Sequence, residues 1–250
     1  MRQQNSETLD SSQEVPIPSE RGTQWLRVGA EGVVIIVSIL LAFGIDAWWD
    51  ERQERAEERE ALSQLESDFR ANAAQLDTVR RYHQRALDAS YEIIARAGLG
   101  GEPVGGTPTA ELVLHFGSAW NYDPVLGGIN SLIQSGKLGI LQSDSLRAAI
   151  AGWPDIVEDL NGDENQEQAN TFDRLRPYLM SKGAMFDALM AAGMFGRLEQ
   201  RPVPEMDWIL EDSLFLEMVS YRAIRLEEIL AEVSTVDRSI QRILHLIEAS

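Results

Sequence analysis

The longest apolar run in the chain lies near its N-terminus, over residues 28–47. As an α-helix these residues would cover roughly 30 Å, which matches the hydrocarbon thickness of a bilayer. Trp25 precedes the run, and Trp48 and Trp49 follow it, and tryptophan is typical of the interface between lipid and water. We therefore predict one transmembrane helix over residues 24–49, with the lipid bilayer as its partner and these three tryptophans at its two interfaces.

The segment before this helix distinguishes an anchor from a cleaved signal peptide. Residues 1–23 carry more acidic than basic side chains, and no small-residue cleavage site precedes the charged stretch that begins at Asp50. We therefore interpret the helix as an uncleaved anchor and residues 1–23, which are rich in Ser, Gln, Glu and Pro, as a disordered tail. Lys and Arg are balanced on the two sides of the anchor, so charge does not indicate its orientation. We expect the body to be periplasmic because a short tail, one anchor and a long C-terminal domain is a common arrangement for presenting a domain outside the cytoplasm.

A helical pattern continues after the anchor. Residues 45–97 contain neither Gly nor Pro, and their apolar residues recur every three or four positions, which predicts a long helix over residues 50–97. This apolar stripe consists of Leu62, Leu65, Phe69, Ala73, Leu76, Val79, Ala86 and Ile93. Three acidic residues each precede an arginine by four positions, as in Glu66 with Arg70 and Asp77 with Arg81, and these pairs favour an exposed helix face. Residues 98–108 are rich in Gly and Pro and are predicted to form a linker.

Residues 109–250 are predicted to complete a helical bundle. Thr107 and Asp123, each followed by proline, are expected to begin two short helices, and Ser143 a third that ends near Trp153. An acidic, polar helix should then occupy residues 154–176 and end at Pro177. Residues 181–205 contain three Gly and two Pro and are expected to be irregular.

The last helix carries a seven-residue apolar repeat that buries a continuous seam. The repeat consists of Val219, Leu226, Val233, Ile240 and Ile247, alternating with Ile229, Val236 and Ile243. Because two long helices with such stripes must bury them, we predict that the first long helix packs against the last. The fold class is therefore all-α, with the transmembrane helix continuing into a long helix of a bundle.

Two segments resemble a known family. RVGAEGVVIIVSILLAFGIDAWWDERQER, around the anchor, and INSLIQSGKLGILQSDSLRAAI, residues 129–150, are similar to the hallmark segments of a large family of uncharacterised bacterial single-span membrane proteins. The family often has asparagine where this chain has Asp46 and Asp50. The resemblance implies a location in the bacterial inner membrane and the same architecture, but no activity.

One face of the predicted span is small and polar. Glu31, Ser38 and Ala42 lie within about 40° of one another around a helix, and Arg27 lies close to that face. Small side chains allow close helix approach, and a carboxylate in lipid needs a partner, so this face predicts association of the helix with a second copy or with another membrane protein. The alternative is that Glu31 reaches the headgroups and pairs with Arg27.

Candidates for catalysis and for metal or nucleic-acid binding are weak. The chain has no cysteine, and its three histidines are not at ligand spacing; His83 lies on the apolar stripe and is interpreted as a core histidine with a partner. Residues 158–168 do not fit a calcium loop and are interpreted as a solvated helix face. A net charge of −18 would repel phosphate backbones, so we predict no nucleic-acid partner. We predict no cofactor, no metal and no enzymatic activity.

Residues 131–141, SLIQSGKLGIL, form the most distinctive segment of the body. Gly136 can end one helix in the left-handed conformation, and the leucines and isoleucine after it can enter the core. The alternative is a small ligand or peptide site formed by Ser135, Lys137 and Arg147.

These observations favour a membrane-anchored helical interaction or scaffold module that associates with itself or with another membrane protein. The alternative function is a small-ligand binding or sensor domain on a membrane anchor.

Overall fold

The computed structural model describes residues 21–195 and 205–250, and in these ranges all regular structure is helical, with no strand. The all-α prediction is confirmed. The α-helices are α1 (Arg21–Arg96), α2 (Thr109–Phe116), α3 (Gly127–Gln134), α4 (Asp144–Asn170), α5 (Arg176–Ser181), α6 (Ala184–Ala191) and α7 (Ser213–Glu248). Single turns of other helix types occupy Lys137–Ile140 and Asp207–Glu211, which are 3₁₀, and Thr171–Leu175, which is π-helical.

The chain divides into two units, Met1–Glu54 and Arg55–Ser250. In the first unit, α1 contains a segment that is long and apolar enough to cross a membrane, with a mean hydropathy of 2.1 over 18 residues and no burial by the rest of the chain. Residues 1–20 of the predicted disordered tail (1–23) lie outside the described residues. Residues 21–23 belong to α1, which begins at Arg21.

In the second unit, α1 and α7 run antiparallel. Arg80 forms an ion pair with Asp237 at 2.8 Å, and the Tyr91 hydroxyl, further along α1, donates to Glu227, which lies earlier in α7. The predicted packing of the first long helix against the last is therefore confirmed. The stripe residues Leu65 and Phe69 lie in the same buried cluster as Ile240.

Helix α4 lies beside both long helices and runs parallel to α1. The rings of Phe69 and Trp153 meet edge to face with centroids 4.9 Å apart, and further along both helices His83 Nε2 lies 2.8 Å from Glu164 Oε1. In each of the three helices, one set of buried positions is separated alternately by four and three residues, as in a coiled coil. These seam positions are Leu65, Phe69, Asn72, Leu76, Val79, His83, Ala86, Ser90 and Ile93 in α1; Leu146, Ile150, Trp153, Val157, Leu160, Glu164 and Glu167 in α4, continued by Thr171 in the π-helical turn; and Phe215, Val219, Arg222, Leu226, Ile229, Val233, Val236, Ile240, Ile243 and Ile247 in α7.

The apolar side chains form two main clusters in this unit. The first joins α1, α3, α4 and the C-terminal half of α7 around Trp153. The second joins the end of α1 to α2, α5, α6 and the start of α7 around Phe116 and Phe215, whose rings meet at 86°. Helices α2, α5 and α6 thus cover the end of the long-helix bundle at which α7 begins.

Polar side chains of α1 hold the connecting segments by accepting hydrogen bonds from their backbone. Asp68 accepts from Gly128 N at 3.0 Å, and Asn72 pairs with both the N–H and the C=O of Val125. A Cβ at position 128 would lie 2.7 Å from Asp68 Oδ2, so any larger residue would displace the Asp68 carboxylate. The loops are therefore tied to the helix by specific acceptors rather than by apolar contacts alone.

The Gly/Pro-rich segment 98–108 is held in the same way at one point. The Glu92 carboxylate accepts hydrogen bonds from Val104 N at 2.8 Å and from Gly105 N at 3.0 Å, and it also contacts Arg96. These backbone N–H groups, assisted by the guanidinium, lower the pKa of Glu92.

The predicted capping residues Thr107 and Asp123 are wrong by one and three residues, since Pro108 precedes α2, which starts at Thr109, and Leu126 precedes α3, which starts at Gly127. Pro108 takes the capping position of α2 with its carbonyl, while the pairing of Val125 with Asn72 keeps the residues before α3 out of the helix. The predicted Ser143 cap is confirmed, because its Oγ accepts from Leu146 N at 3.3 Å. Gly136 ends α3 with φ of 69°, also as predicted.

The predicted break near Trp153 is wrong, because α4 continues through Pro154 and Gly162 to Asn170. Burial of Trp153 and Val157 on either side of the proline offsets the lost backbone hydrogen bond. Pro177 does not end the helical path either. The wider π-helical turn Thr171–Leu175 precedes it and relieves the clash that a proline ring makes with the carbonyl four residues earlier.

Two further expectations need correction. Part of the segment 181–205 is not irregular, because α6 occupies Ala184–Ala191 and buries Ala184 and Ala188 against the second cluster; residues 196–204 lie outside the described residues. Residues 158–168 are not simply a solvated face, because Glu164 and Glu167 are 1% and 4% exposed.

Candidate functional site

A layer of buried polar side chains separates the two apolar clusters of the second unit. Along each long helix it occupies positions of the seam that apolar residues fill elsewhere. We define this polar layer as His83 of α1, Glu164 and Glu167 of α4, Thr171 of the π-helical turn, and Arg222 of α7. Because buried polar groups are costly without partners, the contacts within this layer determine what it can do.

Glu164 lies at the centre of one half of the polar layer. Its Oε1 is 2.8 Å from His83 Nε2, and its Oε2 accepts from the backbone N–H of Tyr122 at 2.6 Å. The carboxylate therefore ties α1 and the segment before α3 to α4. His83 is 5% exposed, which confirms the interpretation of a core histidine with a partner.

Arg222 organises the other half. Its guanidinium donates to Thr171 Oγ1 at 2.9 Å and to the carbonyl of Ser118, its Nε lies 3.3 Å from Glu167 Oε1, and its Cζ is 5.2 Å from the centre of the Phe116 ring. Burial lowers the pKa of Arg222 to about 10, against the opposing effect of Glu167, so the guanidinium stays protonated at neutral pH. For Glu167 the same cause has the opposite sign: burial raises the pKa of this carboxyl group, and the nearby Arg222 guanidinium opposes the shift.

This half of the polar layer is incompletely satisfied. Within the described structure, Arg222 Nε and Glu167 Oε2 are buried and make no hydrogen bond with acceptable geometry. Most buried polar atoms in folded proteins have such a partner, so each exception needs an explanation.

A cavity of about 240 Å³ adjoins these two residues. Its polar wall contains Glu167, Asn170, Thr171 and Arg222, and its apolar wall is formed mainly by Phe116, Leu175 and Met218. The side chains of Arg174, Leu214, Glu217 and Tyr221, which also line it, are exposed and form its rim. The cavity therefore combines a charged pair, an apolar wall and access from solvent.

The residues proposed for the membrane interface and for helix association all belong to α1. Trp48 and Trp49 are 57% and 61% exposed, and the Arg52 guanidinium carbon lies 5.6 Å from the Trp48 ring; the Trp25 side chain lies outside the described structure. Glu31, Ser38 and Ala42 are exposed, and the Ser38 hydroxyl donates to the Val34 carbonyl at 2.7 Å. Ser38 therefore satisfies its donor within its own helix and leaves a small surface.

The three residues of the candidate binding segment make separate contacts. Ser135 donates to the Ser131 carbonyl at 2.6 Å, and Lys137 pairs with Glu57 at 3.1 Å. Arg147 donates to the Leu141 carbonyl and pairs with Asp144. Each side chain thus stabilises its local turn or its contact with α1, while Leu141 enters the core as predicted.

Sequence reasoning found His83 but missed Glu164, Glu167 and Arg222, the three acidic and basic side chains of the polar layer. The signal was the spacing itself: Arg222 lies seven residues before Ile229 in the α7 repeat, and Glu164 and Glu167 continue the alternation that Val157 and Leu160 set in α4. Among the described residues, no group of three or more His, Cys, Asp or Glu side chains could hold a metal ion.

Comparisons with protein-family models, with curated proteins and with solved structures gave no match for this chain.

Proposed function

We propose that the protein is a membrane-anchored, non-enzymatic helical interaction module. In this proposal α1 crosses the bacterial inner membrane once, the body lies on the periplasmic side, and the protein acts by associating with a second copy or with another membrane protein. The family resemblance of the two segments around residues 28–50 and 129–150 is part of the same proposal.

The observation that carries the proposal is the uncovered apolar surface of α1. Large side chains from Val33 to Ile45 are 50–67% exposed, and none of the most apolar window is buried by the rest of the chain. A surface of this size is unfavourable in water, so it requires lipid or another apolar helix.

Deleting residues 24–49 is expected to move the protein entirely into the soluble fraction. The reason is that this segment contains the only described helix stretch with spanning length and hydropathy. The measurement is fractionation of membranes and cytosol, with a helical circular-dichroism spectrum as the check that the body still folds. Retention of the truncated body on membranes would show that other helices bind lipid.

The face defined by Glu31, Ser38 and Ala42 supports association through the span. Its side chains at positions 38 and 42 are small, and the Ser38 hydroxyl is already bonded within the helix. A second helix could therefore approach closely without leaving that hydroxyl unsatisfied in lipid.

We expect the double change Ser38→Leu with Ala42→Leu to reduce self-association of the full-length protein in a membrane reporter assay at least about fivefold, the low end of a coupling of 1–3 kcal/mol. The added bulk would separate the two helix backbones. Native mass spectrometry of detergent-extracted protein would report the same change as a loss of the dimer or higher oligomer.

Matched controls on other faces of the same helix separate this effect from general disturbance of the span. Ile36→Leu and Leu40→Ile keep the volume and hydropathy of the segment and should leave association unchanged. A monomeric native protein, with no partner co-purifying, would contradict self-association.

The second candidate function is small-ligand binding by the body. The observation that favours it is the cavity beside Arg222 and Glu167, because it places an incompletely satisfied charged pair next to an apolar wall.

A further inference from the structure

We infer that the cavity between α2, the end of α4 and the start of α7 is a binding site for a small molecule of zero net charge, whose head carries a hydrogen-bond donor next to an acceptor and whose remainder is apolar. The inference concerns the body alone and does not depend on association of the span.

The polar wall defines the head of the ligand. Among the described residues, Arg222 Nε meets the Glu167 carboxylate at 3.3 Å but makes no well-aligned hydrogen bond, and Glu167 Oε2 accepts none; both side chains line the cavity. The other polar atoms of both groups are engaged, because the terminal nitrogens of Arg222 donate to Thr171 and to the Ser118 carbonyl, and Glu167 Oε1 accepts from Thr171 at 3.4 Å. A head that offers one acceptor and one donor side by side would complete both groups at once.

The charges around the cavity favour a head without net charge. The Arg222 guanidinium and the Glu167 carboxylate balance each other within the polar layer. At the rim, Arg174 and Glu217 again contribute one charge of each sign. A singly charged ligand would place an uncompensated charge among buried groups, which is unfavourable. Two chemistries share the required pattern, a primary amide and an amino-acid zwitterion.

The opposite wall and the volume define the rest of the ligand. Phe116 and Leu175 are buried, and Met218 is half-buried beside them. Contact with such a wall is more favourable in free energy for an apolar group than for water. A volume of about 240 Å³ is smaller than typical drug-sized pockets, so the ligand is a small one.

Four probes with the same branched apolar body separate the head chemistries: leucine, isovaleramide, isovalerate and isoamylamine. They are a zwitterion, a neutral amide, an anion and a cation. With full-length protein in detergent, we expect leucine, isovaleramide or both to raise the Tm by roughly 5–10 °C at about one hundred times Kd, and isovalerate and isoamylamine to have no effect. Stabilisation by leucine alone would identify the zwitterion, and by isovaleramide alone the amide. No binding of either, or equal binding of all four, would overturn the inference and leave ordered water as the occupant.

Two variants test the position of the site. Met218→Trp fills the apolar side of the cavity without touching the charged pair, and it should weaken binding of the effective probe at least about tenfold. Ile224→Trp adds the same ring on an exposed position of α7, at 59% exposure, and should leave binding unchanged. Equal affinity in both variants would place the probe elsewhere.

A change of selectivity tests the role of the charged pair. Glu167→Gln removes the negative charge while keeping the shape, so the cavity gains the uncompensated charge of Arg222. We expect isovalerate, which is inert with the native protein, to raise the Tm of this variant, and leucine or isovaleramide to lose its advantage. Unchanged selectivity in the folded variant would overturn the assignment. If Glu167→Gln does not fold, the affinity of the probes for Met218→Trp tests the assignment of the site instead.

Discussion

Replacing Leu65 or Ile229 by aspartate is expected to reduce the free energy of unfolding of the body by about 4 kcal/mol or more. Both side chains are 0% exposed and lie in the same apolar cluster, one on α1 and the other on α7. Each variant loses apolar burial and places an unpaired carboxylate where neither water nor a cation can reach it. For a unit of this size the Tm should fall by roughly 8–16 °C.

Exposed positions on the same two helices provide the controls. Ala74→Asp in α1 and Ile224→Asp in α7 introduce the same side chain at exposed sites and should change stability by less than about 0.5 kcal/mol. Thermal or urea unfolding, followed by circular dichroism, measures all four variants. If Leu65→Asp and Ile229→Asp unfold like their controls, the apolar faces of α1 and α7 do not pack as the structure shows.

The periodic part of this fold was predictable because it depends on spacing alone. The absence of Gly and Pro over residues 45–97 and the seven-residue repeat of α7 each give a long helix with one buried face. The ion pair of Glu66 with Arg70, at 2.6 Å, follows from the same spacing, as does that of Asp77 with Arg81. Helix periodicity thus predicts which faces of α1 and α7 are buried against each other, and the prediction is strong because each pattern extends over many helical turns.

The errors occur where tertiary contacts override local signals. Asp123 followed by Pro124 has the composition of a helix start, yet Asn72, which lies 53 positions from Val125 in the chain, pairs with that residue and delays α3 to Gly127. Pro154 has the composition of a helix end, yet burial of Trp153 beside it keeps α4 continuous. Such contacts link residues far apart in sequence, so a local pattern cannot reveal them.

The polar layer shows a different limit. Hydropathy assigned residues 158–168 to solvent, because Glu164 and Glu167 are charged, although the spacing in α4 places both on the buried seam. At these positions the helical spacing predicted burial while the charge predicted exposure, and the same disagreement occurs at Arg222 in α7. In a coiled-coil seam such a disagreement marks positions where polar side chains specify the register of the helices.

Register specification follows from the contacts of the polar layer. A shift of α4 by one heptad against α1 would place Glu164 opposite Leu76 or Ser90 and leave His83 and the Tyr122 N–H without their acceptor. Similarly, a shift of α7 would separate Arg222 from Thr171 and from the Ser118 carbonyl. Apolar residues at every seam position would allow such shifts at lower cost, so we expect the polar layer to favour one alignment of the bundle.

Glu164→Leu is therefore expected to be among the most destabilising single changes in the body, with a loss of about 3–5 kcal/mol. The carboxylate is 1% exposed and is shared between His83 and the Tyr122 N–H, so its removal leaves buried polar groups of two different segments unsatisfied. Glu164→Gln retains an oxygen for the Tyr122 N–H and an amide that can donate to an imidazole nitrogen. It should therefore lose only about 1–2 kcal/mol.

The comparison of the two variants distinguishes a hydrogen-bonding role from a packing role. Urea unfolding monitored by circular dichroism measures both, with Glu158→Leu, at an exposed position of α4, as the control for replacing a glutamate by leucine in this helix. Leucine fills the space of the glutamate stem, so a bundle held at this point by packing alone would tolerate Glu164→Leu as well as Glu164→Gln. A clear difference in favour of glutamine would show that the side chain at position 164 stabilises the bundle through its hydrogen bonds to His83 and to the Tyr122 N–H, the two contacts that tie α4 to α1 and to the segment before α3.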